Sequence, residues 1–155
     1  MVTIHMRRAT EKDCLLFFQW KNDPVTLANS FQSDPVSLEN HTTWFNQALQ
    51  NKSLLLLVGE TAHGVPVGQV RFDTHEQTAV VGITVAPEFR GQKLGAPLLK
   101  SGCDFYHSLF PSHAVNAFIK TENTASRKIF ATAGFDLQET TTVSGHPAIR
   151  MTLFV

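Results

Sequence analysis

Apolar positions change their period along the chain, and each change marks a different class of element. Residues 2–9 mix β-branched and polar types over a strand's length, and Thr10 followed by Asp13 has the form of a helix cap with an acidic first turn. The pattern then predicts a helix carrying Cys14, Leu15, Phe17, Phe18 and Trp20. That helix ends at Asn22-Asp23-Pro24, because proline disfavours helix at the residue before it. The stretch to Pro35 reads as a loop or a short helix. Ser37 can cap a second helix over about 38–50, with Trp44, Phe45, Ala48 and Leu49 on one face.

From residue 53 the period shortens. SLLLLVG at 53–59, PVGQVRF from 66 and AVVGITV from 79 read as consecutive strands of an antiparallel meander. A long helix is expected from Lys93 or Leu94 to about Leu109, burying Leu94, Leu98, Leu99, Cys103 and either Phe105 or Tyr106. Its first turn holds Pro97, where a missing N–H costs least. A strand at 114–119, a helix at 123–133 stopped by Gly134, and strands at 135–142 and 147–154 complete the chain. The order β-α-α-β-β-β-α-β-α-β-β, without repeat or linker, predicts a mixed α/β fold in one domain over residues 1–155.

A length of 155 residues with 43% apolar and 17% charged composition suits one hydrophobic core. Thirteen basic residues balance thirteen acidic ones, which removes any bulk electrostatic attraction to nucleic acid or to an anionic membrane. Cys14 and Cys103 lack the spacing of a zinc site or a disulfide framework, although one bridge between them stays open. No pair among His41, His75, His113, Asp73 and Glu88 has metal-ligand spacing, so no metal is expected. The apolar run at 54–59 is far too short for a bilayer, and the N-terminus has no apolar signal core, so the protein is expected to be cytoplasmic.

Candidate chemistry gathers in two segments. Residues 85–95, VAPEFRGQKLG, read as a strand end, a polar turn and a helix start. The backbone N–H groups of Gly91, Gln92, Lys93, Leu94 and Gly95 would there face an anion such as a pyrophosphate, with Arg90 and Lys93 adding charge. The turn is neither a Walker loop nor a dinucleotide fingerprint. Downstream, Asn123 can cap a helix or meet a ligand at a strand-to-helix join, while Ile129, Phe130 and Ala133 face a core. His41, His75 and His113 are the imidazoles to consider, because an unperturbed histidine titrates near working pH, with Asp73 and Glu88 as acidic alternatives. Tyr106, the single tyrosine, reads as a packing residue.

Together the segments resemble the GNAT N-acetyltransferase family. Val85, Pro87, Arg90, Gly91, Lys93 and Gly95 stand where its acetyl-CoA turn has V-x-P-x-x-R-G-x-G-x-G. Asn123, Ser126, Phe130, Gly134 and Phe135 stand where it has N-x-x-S-x-x-x-Y-x-x-x-G-F. The resemblance implies a mostly antiparallel central sheet with one splayed parallel strand pair and flanking helices. It further implies that Arg90, Gly91, Gln92, Lys93, Leu94, Gly95 and Ala96 hold the cofactor pyrophosphate. Ile83, Thr84 and Val85 would hydrogen-bond the pantetheine arm, and Asn123, Ser126 and Phe130 would help to hold the cofactor, acetyl-CoA. Direct attack of an amine on the thioester is the implied reaction, with backbone amides facing the developing oxyanion. Two departures stand out: the middle glycine is Lys93, and the tyrosine that protonates the departing thiolate is Phe130. His41 and His75 are then the candidate catalytic bases.

Trp20, Asn22, Asp23, Pro24, Ser33, His41, Trp44 and Phe45 resemble the N-terminal region of a subgroup that acetylates nucleotide-linked amino sugars. That likeness implies a small-molecule acceptor, first the 4-amino group of a UDP-linked 4-amino-4,6-dideoxy sugar. Arg7, Arg8, Lys21 and Arg71 could then meet its diphosphate if they converge. A ribosomal-protein or other peptide, an aminoglycoside, or no acceptor at all in an acyl-CoA-binding module are the alternatives. The protein is expected to be a monomer or a homodimer.

Overall fold

The computed structural model describes residues 3–155; Val2, at the start of the first expected strand, lies outside them. Strand β1 (His5–Arg8) is followed by a 3-10 turn at Glu11–Asp13 and helices α1 (Cys14–Lys21), α2 (Pro24–Asn29) and α3 (Leu38–Gln50). Three strands come next, β2 (Leu54–Glu60), β3 (Pro66–His75) and β4 (Thr78–Val85), then helix α4 (Gly95–Leu109). Strand β5 (Ala114–Lys120), helix α5 (Thr124–Thr132) and the hairpin β6 (Asp136–Val143) and β7 (His146–Leu153) close the chain.

Sequence signals explain the boundaries. Thr10 and Asp13 form a complete capping box, and the Asp13 carboxylate also accepts both arms of the Arg7 guanidinium at 2.8 Å. Asp23 caps α2 through the Thr26 N–H, with Pro24 at the first helical position. Ser37 caps α3 and Asn123 caps α5 in the same way. Helix α4 starts one or two residues later than expected, with Pro97 in its first turn, and Tyr106 rather than Phe105 is the fully buried aromatic. Within α1, Phe17 and Trp20 are buried, whereas Leu15, at 55% exposure, lies on the outer side.

All seven strands join one sheet in the order β1-β2-β3-β4-β5-β7-β6, antiparallel except for the β4/β5 pair. Alternation along the strands gives each face its own core. Leu57, Val70, Phe72, Val81 and Val115 pack beneath Leu98, Leu99 and Tyr106 of α4. On the opposite face Leu56 and Val58 meet Phe17 and Trp20 of α1 and Phe45 of α3. Both cysteines are free, and burial pushes the Cys103 thiol up to about 12. No described helix is long and apolar enough to cross a membrane, and the described residues contain no group of three metal-ligating side chains.

Candidate active site

The parallel pairing of β4 with β5 is short. It runs from Thr78 opposite Ala114 to Val80 opposite Asn116 and then stops, so the two strands diverge. Ala86 N–H donates to Val67 C=O at 2.8 Å, and the alternation of antiparallel hydrogen bonds therefore turns the Thr84 and Gly82 peptides towards β3. The intervening Ile83 and Val85 peptides face the gap beside β5. A central strand thus presents unpaired donors and acceptors to an open space, an arrangement suited to an amide-bearing chain laid alongside.

That space is a cavity of ≈ 880 Å³ lined by β4, the turn after it, both ends of the gap, and α5. It lies within the usual range for a small-molecule site, roughly 300–1,000 Å³. Of the cofactor-binding residues expected from sequence, Ile83, Thr84, Val85, Arg90, Gly91, Lys93, Leu94, Gly95, Ala96, Asn123, Ser126 and Phe130 all line it. Gln92 does not: it is exposed and its side-chain amide donates to Glu88 C=O at 3.3 Å.

The turn is built for close approach. Gly91 has φ +76° and Lys93 has φ +59°, so the chain passes twice through the left-handed region and curls around its own N–H groups. A side chain at Gly91 would meet nothing within 4 Å, which leaves the mouth of the turn open. No side chain caps α4, so the first N–H groups of this helix point into the cavity without a partner from the helix itself. Gly95 is needed for packing: a Cβ there would stand 2.5 Å from Ile129 Cδ1, so α5 could not approach α4 as it does.

Arg90 differs from its expected role. Its guanidinium is bonded to the Asp23 carboxylate and to Thr26 Oγ1 at 3.0 Å, so its charge is spent on α2. Arg90 in turn holds the Asp23 carboxyl below its ordinary range. At the opposite bank the buried Lys120 ammonium donates to Ala28 C=O at 3.0 Å, and Phe31 approaches His146 with ring centres 6.4 Å apart. Helix α2 is thereby fastened to the turn after β4 and to the end of β5, and Val25, Thr26, Asn29, Ser30 and Phe31 close one side of the cavity. From sequence, these wall residues and Phe118 had no site role and Ile129 was placed in a core, although Asp23-Pro24 carries the signal of a helix start.

The two candidate bases do not reach the cavity wall. His41 is 1% exposed among Phe18, Trp44 and Phe45, and its Nε2–H donates to Cys14 C=O at 2.9 Å. Its Nδ1 is buried without a partner, and burial, with the Lys21 charge adding to it, lowers its pKa against the raising pull of the Cys14 carbonyl. His75 is exposed at the β3–β4 hairpin beside Asp73, 3.3 Å away. His113 is bonded to the Tyr106 hydroxyl at 2.9 Å, which also meets Thr74; Tyr106 is a packing residue stacked on Phe72. Arg7 is engaged by Asp13 and Glu60, and Arg8 lies over Phe105, so neither joins Lys21 and Arg71, which converge on Trp44.

Comparison with known proteins gives the same architecture. Spermidine N-acetyltransferase from Vibrio cholerae, solved in complex with CoA and spermine, superposes with a TM-score of 0.87 at 17% identity, over 98% of this chain and 95% of that one. AAC(6')-Ib in complex with ribostamycin and coenzyme A gives a TM-score of 0.85 at 16% identity, over 98% and 93%. At these identities the likeness is one of fold, and neither structure is of the amino-sugar subgroup that the N-terminal motif resembles. No curated protein matches the chain. The family model described as acetyltransferase (GNAT) domain matches residues 3–136, most of the chain, and the protein therefore belongs to the GNAT acetyltransferase family.

Proposed function

We propose that the protein transfers an acetyl group from acetyl-CoA to a primary amine of a small molecule by direct attack on the thioester. The observation that carries this reading is the gap between β4 and β5, where unpaired strand peptides lead from the open turn at 91–95 to the sheet interior. Bound acetyl-CoA supplies an activated acyl carbon and a thiolate leaving group. The turn N–H groups and the start of α4 would hold its pyrophosphate, and the Ile83 and Val85 peptides its amide-bearing arm. Asn123 and Ser126 would hold it from the α5 side. A backbone N–H fixed in the sheet stabilises charge on the reacting carbonyl without reorganising.

The charged residues on the cavity wall are the cations Arg90, Lys93 and Lys128, and among the described residues that line it there is no carboxylate or imidazole. The acceptor therefore sheds its proton to solvent or to a group outside the wall, the roles for which His41 and His75 were considered. Phe130, 4% exposed and edge-on to Phe135, provides no hydroxyl to the departing sulfur.

For the acceptor we propose first the 4-amino group of a UDP-linked 4-amino-4,6-dideoxy sugar, supported by the N-terminal motif. Spermidine and aminoglycosides, the substrates of the similar structures, are polycations and would meet Lys21 and Arg71 with like charge. The test is thiol release from acetyl-CoA across UDP- and dTDP-linked amino sugars, N-terminal peptides, aminoglycosides and spermidine. Saturable release with a 4-amino sugar nucleotide is expected. Tight cofactor binding without release for any amine would favour the acyl-CoA-binding module, and preference for a polycation would overturn the choice of acceptor.

A further inference from the structure

Arginines 7, 90 and 150 each meet a carboxylate in this fold. Arg71 and Lys21 do not. Lys21 Nζ stands 4.8 Å from the Trp44 ring centre and Arg71 Cζ 5.4 Å, and all three side chains are half-buried. Among the described residues no acid lies within ion-pair distance of either cation. Asp73, two positions along the same face of β3, is beside His75 instead. Burial, and after it the Arg71 charge, lowers the Lys21 pKa, a sign that the two cations sit close enough to oppose each other. Such an arrangement costs stability unless something anionic joins it.

Its position relates it to the cavity. Val70 packs against Gly102 of α4, so Arg71, the next residue, projects from the opposite face towards α3. Across the ladder Arg71 pairs with Gly82, which lines the cavity, and a side chain at Gly82 would meet nothing within 4 Å. The cavity therefore reaches Gly82, and the space over Gly82 is open on the face from which Arg71 projects.

We propose that Lys21 and Arg71, with Trp44 as an apolar floor, form a subsite for an oxyanion carried by the acetyl acceptor, a phosphate or a carboxylate. This rests on the reading that acetyl transfer takes place at the strand divergence. The guanidinium offers a two-pronged contact to such a group and the ammonium a second charge. The subsite selects acceptors that carry a negative group near the amine and disfavours polyamines.

The test separates this subsite from the turn at 91–95 by filling the turn first. Wild type saturated with CoA, and the same protein without it, is titrated with inorganic pyrophosphate, UDP and citrate while tryptophan fluorescence and heat are recorded. Trp44 is the reporting tryptophan, since Trp20 is buried in the core. A saturable response in the CoA-saturated protein is expected. It should weaken by about tenfold or more in Arg71→Leu and in Lys21→Met, the scale of a lost charge-assisted hydrogen bond, and recover in part in Arg71→Lys. A response to pyrophosphate or UDP marks the acceptor group as phosphate; a response to citrate alone marks it as carboxylate. No saturable response to any of the three, or affinities unchanged in both charge-removing variants, would overturn the subsite. If CoA itself fails to bind, the reading of the cavity fails, while the dependence on Arg71 in the CoA-free titration still decides the subsite.

Discussion

Phe130 fills the wall of the cavity with a ring that cannot donate a proton, so the departing thiolate must leave without help from that position. Phe130→Tyr is expected to raise kcat by about tenfold with the preferred amine, below the full range for a positioned proton donor. Steady-state kinetics with equal kcat for the two proteins would show that thiolate protonation does not limit the rate. His41 makes a second prediction, this time on stability. Its pKa is lowered in the folded protein from an ordinary 6.5, so the unfolded chain takes up the proton more readily. The stability it contributes is intact above pH 6.5 and is lost as pH falls towards the lowered value. Urea midpoints at pH 7.5 and 5.5 should fall further for wild type than for His41→Phe. The burial of His41 was not read from sequence, where the residue stood as a candidate base next to the apolar stripe of Trp44, Phe45 and Ala48. Its partner is a carbonyl 27 residues away on α1, and no local pattern encodes that approach.

Among the elements, α4 and α5 depend on one missing side chain. Gly95→Ala drives a Cβ into Ile129 and should destabilise the protein by about 1–3 kcal/mol through overpacking. Ile129→Val removes the nearest of the clashing atoms. Chemical denaturation should therefore show the double variant less destabilised than the sum of the two single changes, whereas strict additivity would place the strain elsewhere. Helix α2 illustrates the limit of reading at this scale. Asp23-Pro24 announces its start, yet its role depends on Arg90 and Lys120, which lie 67 and 92 residues from their α2 partners. Arg90 read in isolation was a charge for a phosphate; only the fold reveals that an acid from α2 has claimed it.

For the whole molecule, the cavity joins elements from both halves of the chain, so occupancy should stabilise the fold as a unit. CoA at about a hundred times its Kd adds about 2.7 kcal/mol, which for this size raises Tm by roughly 5–10 °C. A thermal scan with no shift at saturating CoA would contradict the cavity assignment. The succession of strands and helices was legible because period, caps and turn residues are local. The insertion of β7 between β5 and β6 was not: it is fixed by pairing residues 115–120 with 148–153 across a helix and a strand. The divergence of β4 and β5 came from the family motif alone, since an apolar run reads the same whether its edge is paired or open.

The early end of the β4/β5 ladder gives the protein a built-in gauge. Along β4, the amides of Gly82 and Thr84 are held by β3, while those of Ile83 and Val85, their immediate neighbours, face the gap. Deuterium should therefore enter the strand in alternation, fast at 83 and 85 and slow at 82 and 84, although all four lie at the centre of a seven-stranded sheet. When the gap is filled the alternation should fade, and the rate at those two positions becomes a direct count of occupied molecules, readable without an acceptor and without turnover.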